Sequence, residues 1–218
     1  MLAGCMAIIC ASNGESPQWG LRGFEWAYIF IAIAAVADFC DGFAARLLKA
    51  YSNLGKELDS LCDLVSFGVA PGLIMYYLLD NPDVLPWLKW CTLIIPAACA
   101  LRLARFNIDS RQTSVFIGLP VPANAIFWIG YSYLMTYQVG FLSQWYVFLP
   151  VLVIIAWLMN SPLKMFSLKF STWSLKDYSN IRRYSLVAAA AVFCFSLGVG
   201  GLMWLIIFYI LLSINYKS

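Results

Sequence analysis

Apolar runs as long as the hydrocarbon core of a bilayer, about 20 residues each, recur along the whole 218-residue chain. They leave no connection between them long enough to fold by itself. The chain is 62% hydrophobic and only 11% charged, where ordinary soluble domains carry about a quarter of charged residues. The sequence therefore reads as one all-α integral membrane domain over residues 1–218. The candidate segments are about 1–12, 24–45, 58–79, 85–106, 118–138, 143–160 and 184–214. The last is too long for one ordinary span and is interrupted by Gly198, Gly200 and Gly201. It divides into 184–197 and 201–214, which gives about eight segments, a six-helix core plus a C-terminal pair. The first segment is short and lacks the basic residues that open a signal peptide. It reads as a shortened start with a missing lead-in rather than a cleaved leader.

Charge is placed unevenly along these segments. In the eight-segment arrangement Arg46, Lys49, Lys56, Arg102, Arg105, Arg111, Lys164, Lys169, Lys176, Arg182, Arg183 and Lys217 fall on one side. Arg22 and Lys89 fall near the other, with Glu15, Asp80 and Asp83. The positive-inside rule makes the first side cytoplasmic. Trp19, Trp26, Trp87, Trp90 and Trp145 fall near segment boundaries and read as interfacial anchors. The net charge of +3 comes with no basic tract, so nucleic acid is not an expected partner.

Two absences narrow the chemistry. The chain has no histidine, which removes Ser-His-Asp triads, phosphohistidine chemistry and His-ligated zinc. It has no Cys-x-x-Cys pair, and Cys5, Cys10, Cys40, Cys62, Cys91 and Cys194 lie in apolar runs, where thiols act as small hydrophobes. Carboxylates become the leading candidates for acid–base or metal work.

They are grouped. Asp38 and Asp41 close the second segment at i and i+3, and Asp59 and Asp63 open the third at i and i+4. Each pair shares a helix face, with the small residues Gly42 and Ala45 beside the first. Four of the eleven acidic residues at one membrane edge would repel one another. The nearby Arg46, Lys49 and Lys56 offer some compensation, and a hard divalent cation such as Mg²⁺, Mn²⁺ or Ca²⁺ offers more. Simple helix capping and a carboxylate-lined ion pathway are competing readings. Four acids at paired spacing weigh against mere capping and pairing with Arg46 and Lys49, and the ion pathway does not account for Gly42, Ala45, Arg46 and Gly55 in the same constellation.

The full pattern is Asp38-x2-Asp41-Gly42-x2-Ala45-Arg46-x8-Gly55-x3-Asp59-x3-Asp63. It resembles the signature of the CDP-alcohol phosphatidyltransferases. The stretches 57–71, 101–107, 116–123 and 165–170 are similar to the phosphatidylserine synthase branch. The resemblance implies two divalent ions, Mg²⁺ or Mn²⁺, held by Asp38, Asp41, Asp59 and Asp63, with Asp63 also the general base. It implies contacts from Gly42, Arg46 and Ser52 to the CDP part of CDP-diacylglycerol, L-serine as acceptor, a homodimer among membrane lipids, and a bacterial or archaeal cytoplasmic membrane. Glycerol 3-phosphate or inositol as acceptor remains an alternative.

Arg102 and Arg105 are neighbours at the cytoplasmic end of the fourth segment. With Asn107 they are candidates for binding the serine carboxylate or the lipid-bearing phosphate, although anchoring at an anionic lipid surface also explains such arginines. The prolines of Gly118-Leu119-Pro120-Val121-Pro122 fit a helix start, or else one wall of an acceptor pocket.

Overall fold

In lipid every backbone polar group must be satisfied within the protein, which leaves helices as the economical solution for segments of this composition. The computed structural model describes residues 1–48, 52–108, 116–165 and 178–214 and is a helical bundle. Lys49, Arg111, Lys169, Lys176, Lys217 and the stretch 166–170 lie outside the described residues, as do the side chains of Ala45, Arg46 and Phe116.

The helices are α1 (Leu2–Ser12), α2 (Gly23–Leu48), α3 (Asn53–Asp63), α4 (Ala70–Leu79), α5 (Leu88–Cys91), α6 (Ile94–Ile108), α7 (Val121–Tyr137), α8 (Trp145–Asn160), α9 (Tyr178–Leu197) and α10 (Gly201–Ile214). Six residues of π-helix, Leu64–Val69, join α3 to α4. The described residues also include 3₁₀ turns at Gly140–Ser143 and Gly198–Gly200 and two short antiparallel ladders. β1 (Pro17–Gln18) pairs with β2 (Leu21–Arg22), and β3 (Phe116–Ile117) with β4 (Lys164–Met165).

Most of the expected segments coincide with helices, the first among them; the third, the fourth and the one expected at 184–197 differ, the last beginning six residues earlier at Tyr178. The third helix begins at Asn53, five residues before the apolar run, because Ser52 caps a polar first turn. The fourth is broken into α5 and α6 around Thr92, whose hydroxyl donates to the Lys89 carbonyl at 2.7 Å. As expected, the first is short: α1 has 11 residues and is about 16 Å long at 1.5 Å per residue, less than the hydrocarbon thickness.

Four helical stretches have the length and composition to cross a membrane: Gly23–Ala44, Leu54–Leu79, Leu88–Ile108 and Asn180–Ile214. The last is not one rod. Phe193 and Phe208 bring their rings to 6.5 Å, whereas 15 residues of straight helix would hold them about 22 Å apart. Gly198, in the left-handed region at φ +58°, ends α9, and the chain folds back as α10. The division at the glycine cluster is thus a hairpin.

Packing follows small residues more than polarity. Both faces of α2 are apolar: Phe24, Ala27, Tyr28, Ile31 and Ala34 are buried, while Val36, Phe39, Phe43 and Leu47 are exposed. A helix apolar all round is one that meets protein on one side and lipid on the other. Helix α10 lies directly on α7 at Gly130, where a β-carbon would collide with the Met203 backbone nitrogen. Small residues at such contacts let helix backbones approach in membranes. Gly130→Ala should therefore cost about 1–3 kcal/mol by overpacking, read as a lower melting temperature of the purified protein in detergent. An unchanged melting temperature would contradict this contact.

The bundle has two distinct ends. At one, the Arg22 guanidinium lies 5.0 Å from the Tyr137 ring centre and Gln138 donates to the Leu197 carbonyl beside the hairpin turn. At the other, Lys56 Nζ donates to the Asn107 carbonyl at 2.9 Å and Arg105 Nη1 to the Asn160 carbonyl at 3.3 Å. The Leu119 N–H donates to the Leu158 carbonyl at 3.0 Å. The start of α3, the ends of α6 and α8 and the start of α7 are thereby gathered at this second end. Pro120 and Pro122 lie at the first turn of α7, where a missing N–H costs nothing.

Candidate active site and metal centre

Asp38 and Asp41 occupy the C-terminal half of α2, and Asp59 the middle of α3. Their carboxylates converge: one oxygen from each lies within 4.8 Å of the others. Asp38 is partly buried, and Asp41 and Asp59 are exposed. Asp63 stands outside that set, one helical turn beyond Asp59. It is within electrostatic reach of Asp38, Asp59, Asp41 and Arg102.

The local sequence explains how α3 comes to present these groups. Ser52 is extended, at φ −137° and ψ 149°, and its Oγ accepts from the Gly55 N–H at 3.0 Å, a standard N-cap. A β-carbon at Gly55 would lie 2.9 Å from that oxygen, so the close cap favours glycine there. Because Ser52 Oγ accepts in the cap, its own O–H remains able to donate. Leu54, Leu58 and Leu61 form an exposed apolar stripe, which turns Asp59 and Asp63 away from lipid. At Gly42 a β-carbon would meet nothing within 4 Å, which keeps the surface beside Asp38 and Asp41 low.

Electrostatics argue for a cation at this cluster. Two unit charges 4.8 Å apart repel by about 3 kcal/mol at an effective dielectric of about 20. The expected compensation from Lys56 is not made, since its ammonium is directed to the Asn107 carbonyl. Among the described residues the ion pairs are Arg22–Glu15 at 3.5 Å and Lys89–Asp80 at 2.7 Å, and neither touches the cluster. An oxygen-only set of converging carboxylates suits a hard divalent ion.

The three acceptor-site candidates are not brought together as one unit. Arg102 is buried, with Nε lacking any hydrogen-bond partner, and its charge faces Asp63 and Tyr209 of α10. Arg105 is exposed and bonded to α8. Asn107 ties α6 to α3, donating to Glu57 Oε2 at 3.2 Å and to Ser60 Oγ at 3.0 Å. Sequence reasoning overlooked the approach of Tyr209, which no motif signals, and the buried Asn124 of α7. The latter carries a visible trace: a lone carboxamide in an apolar helix, followed four residues later by Trp128.

The CDP-alcohol phosphatidyltransferase family model matches residues 2–160, a stretch that holds the whole carboxylate cluster. The chain belongs to the CDP-alcohol phosphatidyltransferase family. Three relatives are named CDP-diacylglycerol–serine O-phosphatidyltransferase. That of Bacillus subtilis is 43% identical over 100 residues, 44% of this chain and 54% of the relative. That of Mycobacterium leprae is 39% identical over 127 residues, 55% of this chain and 41% of the relative. That of Helicobacter pylori strain 26695 is 32% identical over 177 residues, 79% of this chain and 70% of the relative. Against the first two, the match spans about half the relative's length. The α9–α10 hairpin lies beyond the stretch that the phosphatidyltransferase model covers.

Proposed function

We propose that this chain transfers the phosphatidyl group of CDP-diacylglycerol to the hydroxyl of L-serine, giving phosphatidylserine and CMP. The observation that carries the reading is the convergence of Asp38, Asp41 and Asp59 within 4.8 Å, with Asp63 one helical turn beyond Asp59 and within electrostatic reach of the buried Arg102. The names of the relatives support serine as the acceptor.

Asp38, Asp41 and Asp59, with Asp63, would hold Mg²⁺ or Mn²⁺, two ions by the family resemblance. When bound, such ions neutralise a diphosphate and stabilise charge that develops on a departing phosphate. The protein's own groups do the rest. Gly42 leaves room for the nucleotide, the Ser52 hydroxyl donates to a phosphate oxygen, and Arg46 forks onto a phosphate. Asp63 accepts the proton of the serine hydroxyl as that oxygen bonds to the phosphorus bearing diacylglycerol. The bond from that phosphorus to the bridging oxygen breaks, and CMP leaves with the oxygen.

Arg102 is the group we assign to the acceptor carboxylate or the lipid-bearing phosphate. A buried guanidinium with an unsatisfied Nε gains most from an anion that completes its bonding. Arg105 and Asn107 would shape the rim of this pocket from the bonds they make to α8 and α3. The bias of Lys and Arg toward this end of the bundle supports a site at the cytoplasmic face; a bacterial or archaeal membrane is supported by the organisms of the relatives, and a homodimer by the family resemblance.

The test is to supply CDP-diacylglycerol with serine, glycerol 3-phosphate or inositol and to follow CMP release with and without divalent metal. Metal-dependent release with serine alone is expected. Robust release with another alcohol and none with serine would overturn the serine assignment.

A further inference from the structure

The turn that follows Asp63 is π-helical, from Leu64 to Val69. A π turn is wider than an α turn, so it rotates the helix before it relative to the helix after it, and such turns concentrate at functional sites. Here it sets the rotation of α3, and with it Asp59 and Asp63, against the buried anchor of α4.

The π turn is held from outside by side chains of two other helices. The Phe67 carbonyl accepts from Asn124 Nδ2 of α7 at 3.2 Å and from Cys99 Sγ of α6 at 3.8 Å. Asn124 Oδ1 in turn accepts from Trp128 Nε1 at 2.9 Å. An indole N–H can only donate, so Trp128 fixes which end of the carboxamide faces Phe67. Asn124 and Cys99 are fully buried and Trp128 is 1% exposed, which leaves no water to take over a lost bond. Phe67 is four residues, about one turn, beyond Asp63.

We propose that Asn124 is a positioning residue for the carboxylate cluster. By clamping the Phe67 carbonyl it fixes the rotation of the Asp59–Asp63 turn of α3 against the Asp38–Asp41 turn of α2. Metal sites require their ligands to within about 0.5 Å, so slack at Phe67 reaches the donors as lost affinity rather than lost chemistry. The inference rests on the reading of the four aspartates as a divalent metal site.

The test uses the full chain in lipid nanodiscs, with Asn124→Leu and Trp128→Phe beside the parent. Mn²⁺ binding is followed by electron paramagnetic resonance, and the Mn²⁺ dependence of CMP release is measured in parallel. Asn124→Leu is expected to raise half-saturating Mn²⁺ by about 10–100-fold, the range for lost supports of metal ligands. Turnover at saturating Mn²⁺ should return to within a few-fold of the parent. Trp128→Phe keeps the clamp but loses its orienting donor, and should shift the same quantity by a smaller factor.

A merely structural asparagine would lower the amount of active protein while leaving half-saturation unchanged, and that result would overturn the proposal. If Asn124→Leu does not fold, Trp128→Phe decides: a shift supports the clamp and no shift overturns it. Failure of the parent itself to bind Mn²⁺ would instead remove the metal-site reading, and this inference with it.

Discussion

Asp63→Asn is expected to lower serine-dependent CMP release by about 10²–10⁴-fold, the usual worth of a positioned general base. Much of the metal binding should survive. Asparagine keeps the shape and one carbonyl oxygen but cannot accept the hydroxyl proton, and the chain has no histidine to take over. The three carboxylates whose oxygens lie within 4.8 Å do not include Asp63, so a first metal keeps its closest donors. Turnover and Mn²⁺ titration of the same preparation check this. Near-normal turnover would exclude Asp63 as the base.

Asp59→Asn should show the reverse emphasis. Asp59 is the member of the 4.8 Å set contributed by α3, while Asp38 and Asp41 both come from α2. Removing its charge leaves Asp63 as the α3 carboxylate, and that one lies outside the 4.8 Å set, so the clamp between the two helices is weakened. Half-saturating Mn²⁺ should rise by more than about 100-fold, beyond the range for second-layer supports of metal ligands. High Mn²⁺ should restore part of the turnover, which it cannot do for Asp63→Asn. Equal Mn²⁺ affinities in Asp59→Asn and the parent would remove Asp59 from the metal site.

Much of the candidate site was legible because its residues are close in sequence and its signals are chemical. Asp38 with Asp41, and Asp59 with Asp63, share helix faces by spacing alone. Gly198 in a long apolar run marked a break that the structure shows as a hairpin. What lay between distant segments was not legible. Arg102, Arg105 and Asn107 look like one group on a single helix end, yet the three side chains are drawn to α3, α8 and the buried interior separately. Lys56 looked like a counter-charge for the aspartates, yet it closes on a backbone carbonyl of α6.

The sequence by itself determined that the chain is a membrane helix bundle and that its chemistry runs through carboxylates at one edge. Both conclusions rest on local composition: apolar length for the spans, and helix periodicity for paired acids. Only the tertiary structure decided which apolar faces pack and how the two acidic pairs are rotated toward each other. In lipid a helix is apolar on every side, so periodicity no longer separates core from surface, as α2 illustrates with its buried Ile31 and exposed Val36. Close backbone approach at Gly130 and the π turn clamped by Asn124 supply that information instead. Both are contacts between segments far apart in the chain.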